Sequence, residues 1–188
     1  MLQDTRSFLS YWRNARSRTV RVLEALTPED LEWAPGPGAF SFGDLFRHLA
    51  GLERFMWAET VAGRPSAYPG HGVELSGGLA SGLEGVRAYL DRCHSEALAL
   101  FGGLSDADLL APCQNPSGAS MPAWKWLRAM CEHEAHHRGQ LYLLASLRGR
   151  TVAPLFGLTE EQLAAASKHG ETKSGTPIKA DQHRSSRS

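Results

Sequence analysis

Two histidines four residues apart, His133 and His137, stand in the run His133-Glu-Ala-His-His-Arg-Gly-Gln140, the most ligand-rich stretch of the sequence. On a helix such a pair lies one turn apart on one face, so both imidazoles reach a single metal ion. His136, between them, points about 60° to one side of His133 at ~100° per residue. The same face carries Trp126, Ala129, Gln140 and Leu144, a stripe that should look into a core. His48 sits among Leu45, Leu49 and Leu52 and presents a third imidazole from a separate apolar face. A buried histidine without a partner is costly, and three aimed at one interior are most cheaply satisfied by a shared divalent cation. Three neutral imidazoles suit transition metals rather than calcium or magnesium: zinc or nickel first, then iron, copper or manganese. Three protein ligands also leave positions open for water or substrate, as a catalytic site requires. Asp44, one turn before His48, is placed to hold that ring's second nitrogen, and Gln140 to support the metal face or touch substrate.

Other features have plainer readings. A solitary core histidine is usually hydrogen-bonded packing, and His71, His94, His169 and His183 are read as structural or surface residues. Gly139 inside a helix costs about 1 kcal/mol relative to alanine, which points to close packing against it. Arg138, off the metal face, reads as an ion-pair partner. The segment His133-Glu134-x-x-His137 also matches H-E-x-x-H, in which Glu134 would be the general base of a zinc peptidase. The extended metzincin form fails, because Gln140 and Leu143 stand where a glycine and a third histidine are required. Glu160 or Glu161 could supply a third ligand by spacing, but peptidases of this kind commonly dock substrate on a strand edge, and strands find almost no support in this sequence.

Helical periodicity supplies the elements that must position these groups. Phe8, Trp12, Ala15, Leu23 and Leu26 mark one face of a first helix over residues 2–26. Thr27-Pro-Glu-Asp begins a short turn that Pro35-Gly-Pro-Gly ends. Ser41-Phe-Gly-Asp44, a capping box variant, opens a second helix to about Val61, with His48 on its inward face. Residues 62–80 are rich in glycine and proline and read as a long crossing loop or lid. A third helix spans about 82–102, Ser105 to Asp108 caps a short turn, and a fourth helix runs from Ser120 to the Leu147-Arg-Gly149 stop. Thr159-Glu-Glu-Gln162 caps a short fifth helix through Ser167. Four long amphipathic helices pack most economically as an all-α four-helix bundle over residues 1–167 with a long crossover connection.

Composition narrows the function classes. The 188 residues carry 20 basic and 20 acidic side chains. Five basic against two acidic ones fall in 168–188, a polar segment expected to be a disordered tail, and the body is mildly acidic. It has no basic stripe for a phosphate backbone and no apolar run long enough to span a bilayer, so neither nucleic acid nor membrane is an expected partner. Cys93, Cys113 and Cys131 are odd in number with no C-x-x-C spacing, and the first residues do not read as an export signal. A cytoplasmic location is expected.

Taken together, the capped helix start from Ser41 to His48, the later HEAHHRGQL, the Leu-Arg-Gly stop and the closing Pro154-Leu-Phe-Gly-Leu158 resemble the DinB-like (YfiT-like) metal-binding superfamily over about residues 1–165. The resemblance implies a four-helix bundle with a crossover, usually dimeric, and a divalent metal held by histidines matching His48, His133 and His137. Some members of that superfamily are thiol-dependent transferases or isomerases in which the metal lowers the pKa of a low-molecular-weight thiol, and the resemblance extends that chemistry to this chain as an expectation. The expected reaction is then transfer of that thiol, or of water, to a small electrophile, in a pocket lined by aromatics such as Trp12 and Trp126. A noncatalytic metal-binding or sensing bundle is the alternative with the same ligands.

Overall fold

A computed structural model describes residues 4–170. Helix α1 (Thr5–Glu24) begins where the Asp4 side chain accepts the Ser7 amide, and it buries Phe8, Trp12, Ala15, Val22 and Leu23. Helix α2 (Phe42–Leu52) opens on the expected capping box, with Ser41 and Asp44 each bonding the other's backbone. It runs on as a π-helical segment, Glu53–Ala58, and a last turn α3, Glu59–Val61. The connection that follows contains a short helix α4 (His71–Glu74) and a 3₁₀ turn, Leu75–Gly77. Helix α5 spans Gly82–Gly102, and α6 (Asp106–Leu110) starts on a second capping box, Ser105 with Asp108. Helix α7 (Ala123–Leu147) ends at Arg148, followed by Gly149 at φ 65°, the left-handed position foreseen for that glycine.

Two sequence expectations change here. The fourth long helix does not start at Ser120: β1 (Pro112–Gln114) and β2 (Ser120–Pro122) pair antiparallel, with Cys113 opposite Met121, and α7 follows Pro122. The turn between the strands is local chemistry. Asn115 Oδ1 accepts the amides of Ser117 and Ala119, and Gly118 takes φ 86°. The second helix is not uniformly α, because a wider π turn replaces its middle. Apolar spacing does not distinguish the two forms over six residues, and such turns gather at functional sites.

Four long helices enclose the core. Helix α1 packs on α5 and α7, and α2 packs on the same two, so α1 and α2 face each other across the bundle's diagonal. The connections from α1 to α2 and from α5 to α7 therefore both cross the bundle, whereas the long 62–81 connection, read from its length as the crossing loop, joins the packed neighbours α2 and α5, because loop length does not fix which helices pack together. One apolar cluster centres on Phe42, Phe46, Leu90 and Leu141. The other centres on Phe8, Trp12, Phe101 and Leu127, with Phe8 and Phe101 edge to face at 5.3 Å. Among the described residues no helix is long and apolar enough to cross a membrane.

The chain divides after Val152, and the unit from Ala153 contains α8 (Glu160–Gly170), which Thr159 and Gln162 cap reciprocally. This helix passes the expected end at Ser167. The tail expectation for 171–188 falls outside the described residues.

Asp30 closes the 27–30 turn and is fully buried. Burial alone would raise its pKa, but hydrogen bonds from Arg150, the Thr27 amide and Arg148 outweigh it and hold the carboxyl well below 3.8. A depressed folded pKa adds stability that is complete above the unfolded value and is lost as pH falls through the folded one. In urea melts taken from pH 6 down to pH 2, the wild-type midpoint should fall more steeply below about pH 4 than that of Asp30→Asn.

Candidate metal centre

His48 projects from α2, and His133 and His137 project from α7, the helix packed beside it. Their ligand atoms all lie within 4.8 Å of one another. His133 Nε2 is 3.2 Å from His48 Nε2 and 3.1 Å from His137 Nε2, and the ring centroids are 4.4 to 5.1 Å apart. Two nitrogens each about 2.1 Å from one cation, at 90 to 109°, stand about 3.0 to 3.4 Å apart. The two spacings to His133 match that requirement, and the remaining pair lies within 4.8 Å.

The protons on these rings are decided by what holds their other nitrogens. His48 Nδ1 is 2.9 Å from the Glu74 carboxylate, an acceptor, so the proton of the neutral ring resides on Nδ1. His137 Nδ1 is 2.6 Å from Gln140 Oε1, which places that proton in the same way. Both rings then turn an Nε2 lone pair toward His133, whose single Nε2 could donate to only one of them. Lone pairs crowded at one point call for an electron-poor centre, and the donor set fits a divalent transition metal. Burial, reinforced by His137, His48 and His136, lowers the His133 pKa to about 3. Burial also lowers that of His137 to about 4, although the Gln140 bond acts against it. Both rings are therefore neutral, the ligating form, at ordinary pH.

The 62–81 connection completes the surroundings. Glu74 is fully buried, and the Tyr68 hydroxyl, 3.2 Å from His48 Nδ1, hydrogen bonds with it. Burial and the Glu74 carboxylate both push the Tyr68 pKa up, so that hydroxyl keeps its proton. Arg47, next to His48, fastens the connection by donating to the carbonyls of Glu74 at 2.6 Å and Ala80 at 3.0 Å. Gly51 makes room: a Cβ there would lie 3.0 Å from Glu74 Oε1 and 3.3 Å from the Tyr89 hydroxyl. Trp57 stands with its ring 6.1 Å from that of His133 and 4.1 Å from that of Trp126.

Several expected roles move. Glu74, not Asp44, meets His48 Nδ1, while Asp44 serves the capping box and pairs with Arg47 at 3.0 Å. Gln140 takes the supporting place read from its spacing. Glu134 is 1% exposed and accepts from Thr19 Oγ1 at 2.5 Å beside Arg16, inside the bundle, which does not suit the general base of a peptidase. Glu160 and Glu161 lie on α8, in the other unit. Trp12 is wholly buried with its indole N–H on Glu53, so it is a core residue, and Trp57 is the aromatic beside His133. Gly139 meets no atom within 4 Å of a Cβ built on it, since it lies on the outer side of α7. Arg138 donates to the Ala15 carbonyl at 3.3 Å. His94 bonds Glu53, in keeping with a structural reading. Glu74, Tyr68 and Trp57 were not foreseen. The only signal for Glu74 was a lone acid in a glycine-rich stretch.

The family model of the DinB superfamily matches residues 11–141, a span that includes all three histidines. The chain belongs to the DinB superfamily. No curated protein matches it. Among solved structures, this DinB superfamily chain is similar to a DinB-like protein from Bacillus cereus at 24% identity and TM-score 0.61, covering 82% of this chain and 99% of that one. A DinB-like protein from Bacillus subtilis, YjoA, matches at 15% identity and TM-score 0.60, covering 78% and 95%. YfiT from Bacillus subtilis, described as a probable metal-dependent hydrolase with an unusual four-helix bundle topology, matches at 15% identity and TM-score 0.63, covering 78% and 89%. These likenesses establish the fold, the all-α bundle expected from periodicity.

Glu74→Gln tests the support of His48. The amide keeps the size but loses the charge that fixes the Nδ1 proton, and zinc affinity should fall about 10- to 100-fold in competition with a chromogenic chelator.

Proposed function

We propose that this protein is a metal-dependent enzyme that activates a low-molecular-weight thiol, or water, for attack on a small electrophile. Its metal ligands are His48, His133 and His137. The observation that carries this reading is the set of Nε2 atoms facing one another at 3.1 and 3.2 Å, two of them held as lone pairs by Glu74 and Gln140. A divalent cation there, zinc or nickel by preference and iron or manganese otherwise, supplies Lewis acidity that lowers the pKa of a coordinated thiol or water. Three protein ligands leave it positions for such a group.

The chain does the rest. Glu74 and Gln140 keep the ring protons outward, Arg47 holds the Glu74 segment in place, and Trp57 with Trp126 forms an apolar wall on the His133 side. With a thiol, a carbon–sulfur bond forms while the bond from carbon to the leaving group breaks, the leaving group takes the electron pair, and the thiol proton passes to solvent. The description of YfiT as a probable metal-dependent hydrolase supports keeping water beside thiol as the nucleophile. A small-molecule substrate, a homodimer and a cytoplasmic setting complete the proposal, with neither nucleic acid nor membrane as partner.

Zinc-loaded and nickel-loaded protein should turn over an alkylating electrophile with glutathione, bacillithiol or mycothiol, or hydrolyse an activated ester, and lose this activity on chelation. Stoichiometric metal without saturable turnover in any of these assays would leave the noncatalytic metal-binding bundle as the reading.

A further inference from the structure

Beneath the histidines lies a buried polar network that the chemistry above does not use. Arg16, on α1, is 3% exposed, and Glu53 and Glu134 are each 1% exposed. Glu53 accepts from Arg16 at 2.6 Å and from the Trp12 indole at 2.5 Å, and it meets His94 Nδ1 at 2.7 Å. Glu134 accepts from Thr19 at 2.5 Å and lies 3.4 Å from Arg16 Nη1. Arg16 Nη2 also donates to the Leu49 carbonyl at 3.3 Å. Two of these contacts share a feature: Leu49 directly follows His48, and Glu134 directly follows His133.

We propose that Arg16 is a positioning residue of the metal site, its guanidinium bridging the residues next to His48 and His133 and so fixing the separation of α2 and α7. The proposal rests on the metal-ligand reading above. Its geometric basis is that the three ligands come from two helices, so the distance between His48 Nε2 and His133 Nε2 is set by how α2 and α7 sit against each other. Apolar packing alone tolerates small slides of one helix on another, and metal ligation is sensitive at the level of a few tenths of an ångström. The rigid, planar guanidinium donates to a carbonyl on one helix while its other terminal nitrogen stands in ion-pair range of a carboxylate on the other, an arrangement that a single flexible ammonium group does not reproduce. Arg16 enters from α1, across the diagonal from α2, so it reaches both helices through the bundle centre. Glu53 anchors the guanidinium at the start of the π segment, whose later residue Trp57 stands beside His133.

The test uses the full chain, Zn²⁺ competition against a chromogenic chelator, and the visible spectrum of the Co²⁺-substituted protein, all below the unfolding transition. Arg16→Lys should bind Zn²⁺ about 10- to 100-fold more weakly, and its Co²⁺ bands should shift in energy and intensity. Asp30→Asn, which weakens a buried charge cluster on the 27–30 turn, is the control for stability loss alone and should keep wild-type affinity and spectrum. Should Arg16→Lys not fold, Glu134→Gln, isosteric and uncharged, carries the same prediction. Wild-type affinity and spectrum in a folded Arg16→Lys or Glu134→Gln variant would overturn this inference and leave the metal site standing. A wild-type chain that binds neither ion would overturn both together.

Discussion

His48→Ala is expected to abolish stoichiometric metal binding while leaving the bundle folded. The side chain is 14% exposed at the edge of the core, so its removal opens little cavity, and the helix around it is secured by a capping box and by Leu45, Phe46 and Leu49. Its Nε2 is nevertheless the one ligand atom from α2. Without it the remaining pair from α7 is two imidazoles a single turn apart, which bind a divalent ion far more weakly than three converging donors. Loss of an outer-shell partner costs metal sites about 10- to 100-fold in affinity, and loss of a ligand should exceed that. Elemental analysis of purified wild type and variant, beside far-ultraviolet circular dichroism, checks it. Full metal occupancy in His48→Ala would remove the three-histidine site and with it the enzymatic proposal.

Glu53→Ala should be among the most destabilising substitutions in the chain, at about 3 to 5 kcal/mol, because it breaks a buried ion pair and leaves the other charge uncompensated. The carboxylate is 1% exposed and serves Arg16, Trp12 and His94 together. Burial alone would raise its pKa, but Arg16 and His94 outweigh that and hold it ionised. Once it is gone, a guanidinium buried in the bundle centre is left with the longer Glu134 contact, one carbonyl and the face of the Trp12 ring at 5.4 Å. By contrast Trp12→Phe removes one hydrogen bond to a charged acceptor and should cost roughly 1.5 to 3 kcal/mol plus a small packing term. Urea unfolding of metal-free protein measures both, and equal midpoints for Glu53→Ala and wild type would show that the network contributes nothing.

The network shows where sequence reasoning stops. Glu53 and Glu134 look like ordinary polar positions on amphipathic helices, and in Glu134 the H-E-x-x-H spelling even suggests catalysis. Which face of α7 turns to α1 and which to α2 decides otherwise, because residues one apart on a helix point about 100° away from each other. His133 thus faces α2 while Glu134 faces Arg16 and Thr19 on α1. Glu74 was illegible for a different reason: it sits 26 residues from His48, in a connection whose path has no periodicity to extrapolate. The same holds for the small hairpin before α7, whose strands are only three residues long.

By itself the sequence determined the local matters. The 3.6-residue period set four long helices, Ser41 with Asp44 set the start of one of them and Ser105 with Asp108 the start of the short α6, and the spacing of His133 and His137 set two imidazoles on one face. Those are properties of a chain segment and its nearest neighbours, where propensity, capping and pitch act over a few residues. The sequence already aimed His48 at the α7 pair, but the tertiary structure alone decided that α1 and α2 lie across a diagonal, that Glu74 holds the His48 proton and that Arg16 reaches both α2 and α7. Each of these depends on surfaces far apart in the chain packing to a common fit, and the energy that selects that fit is shared over the whole core.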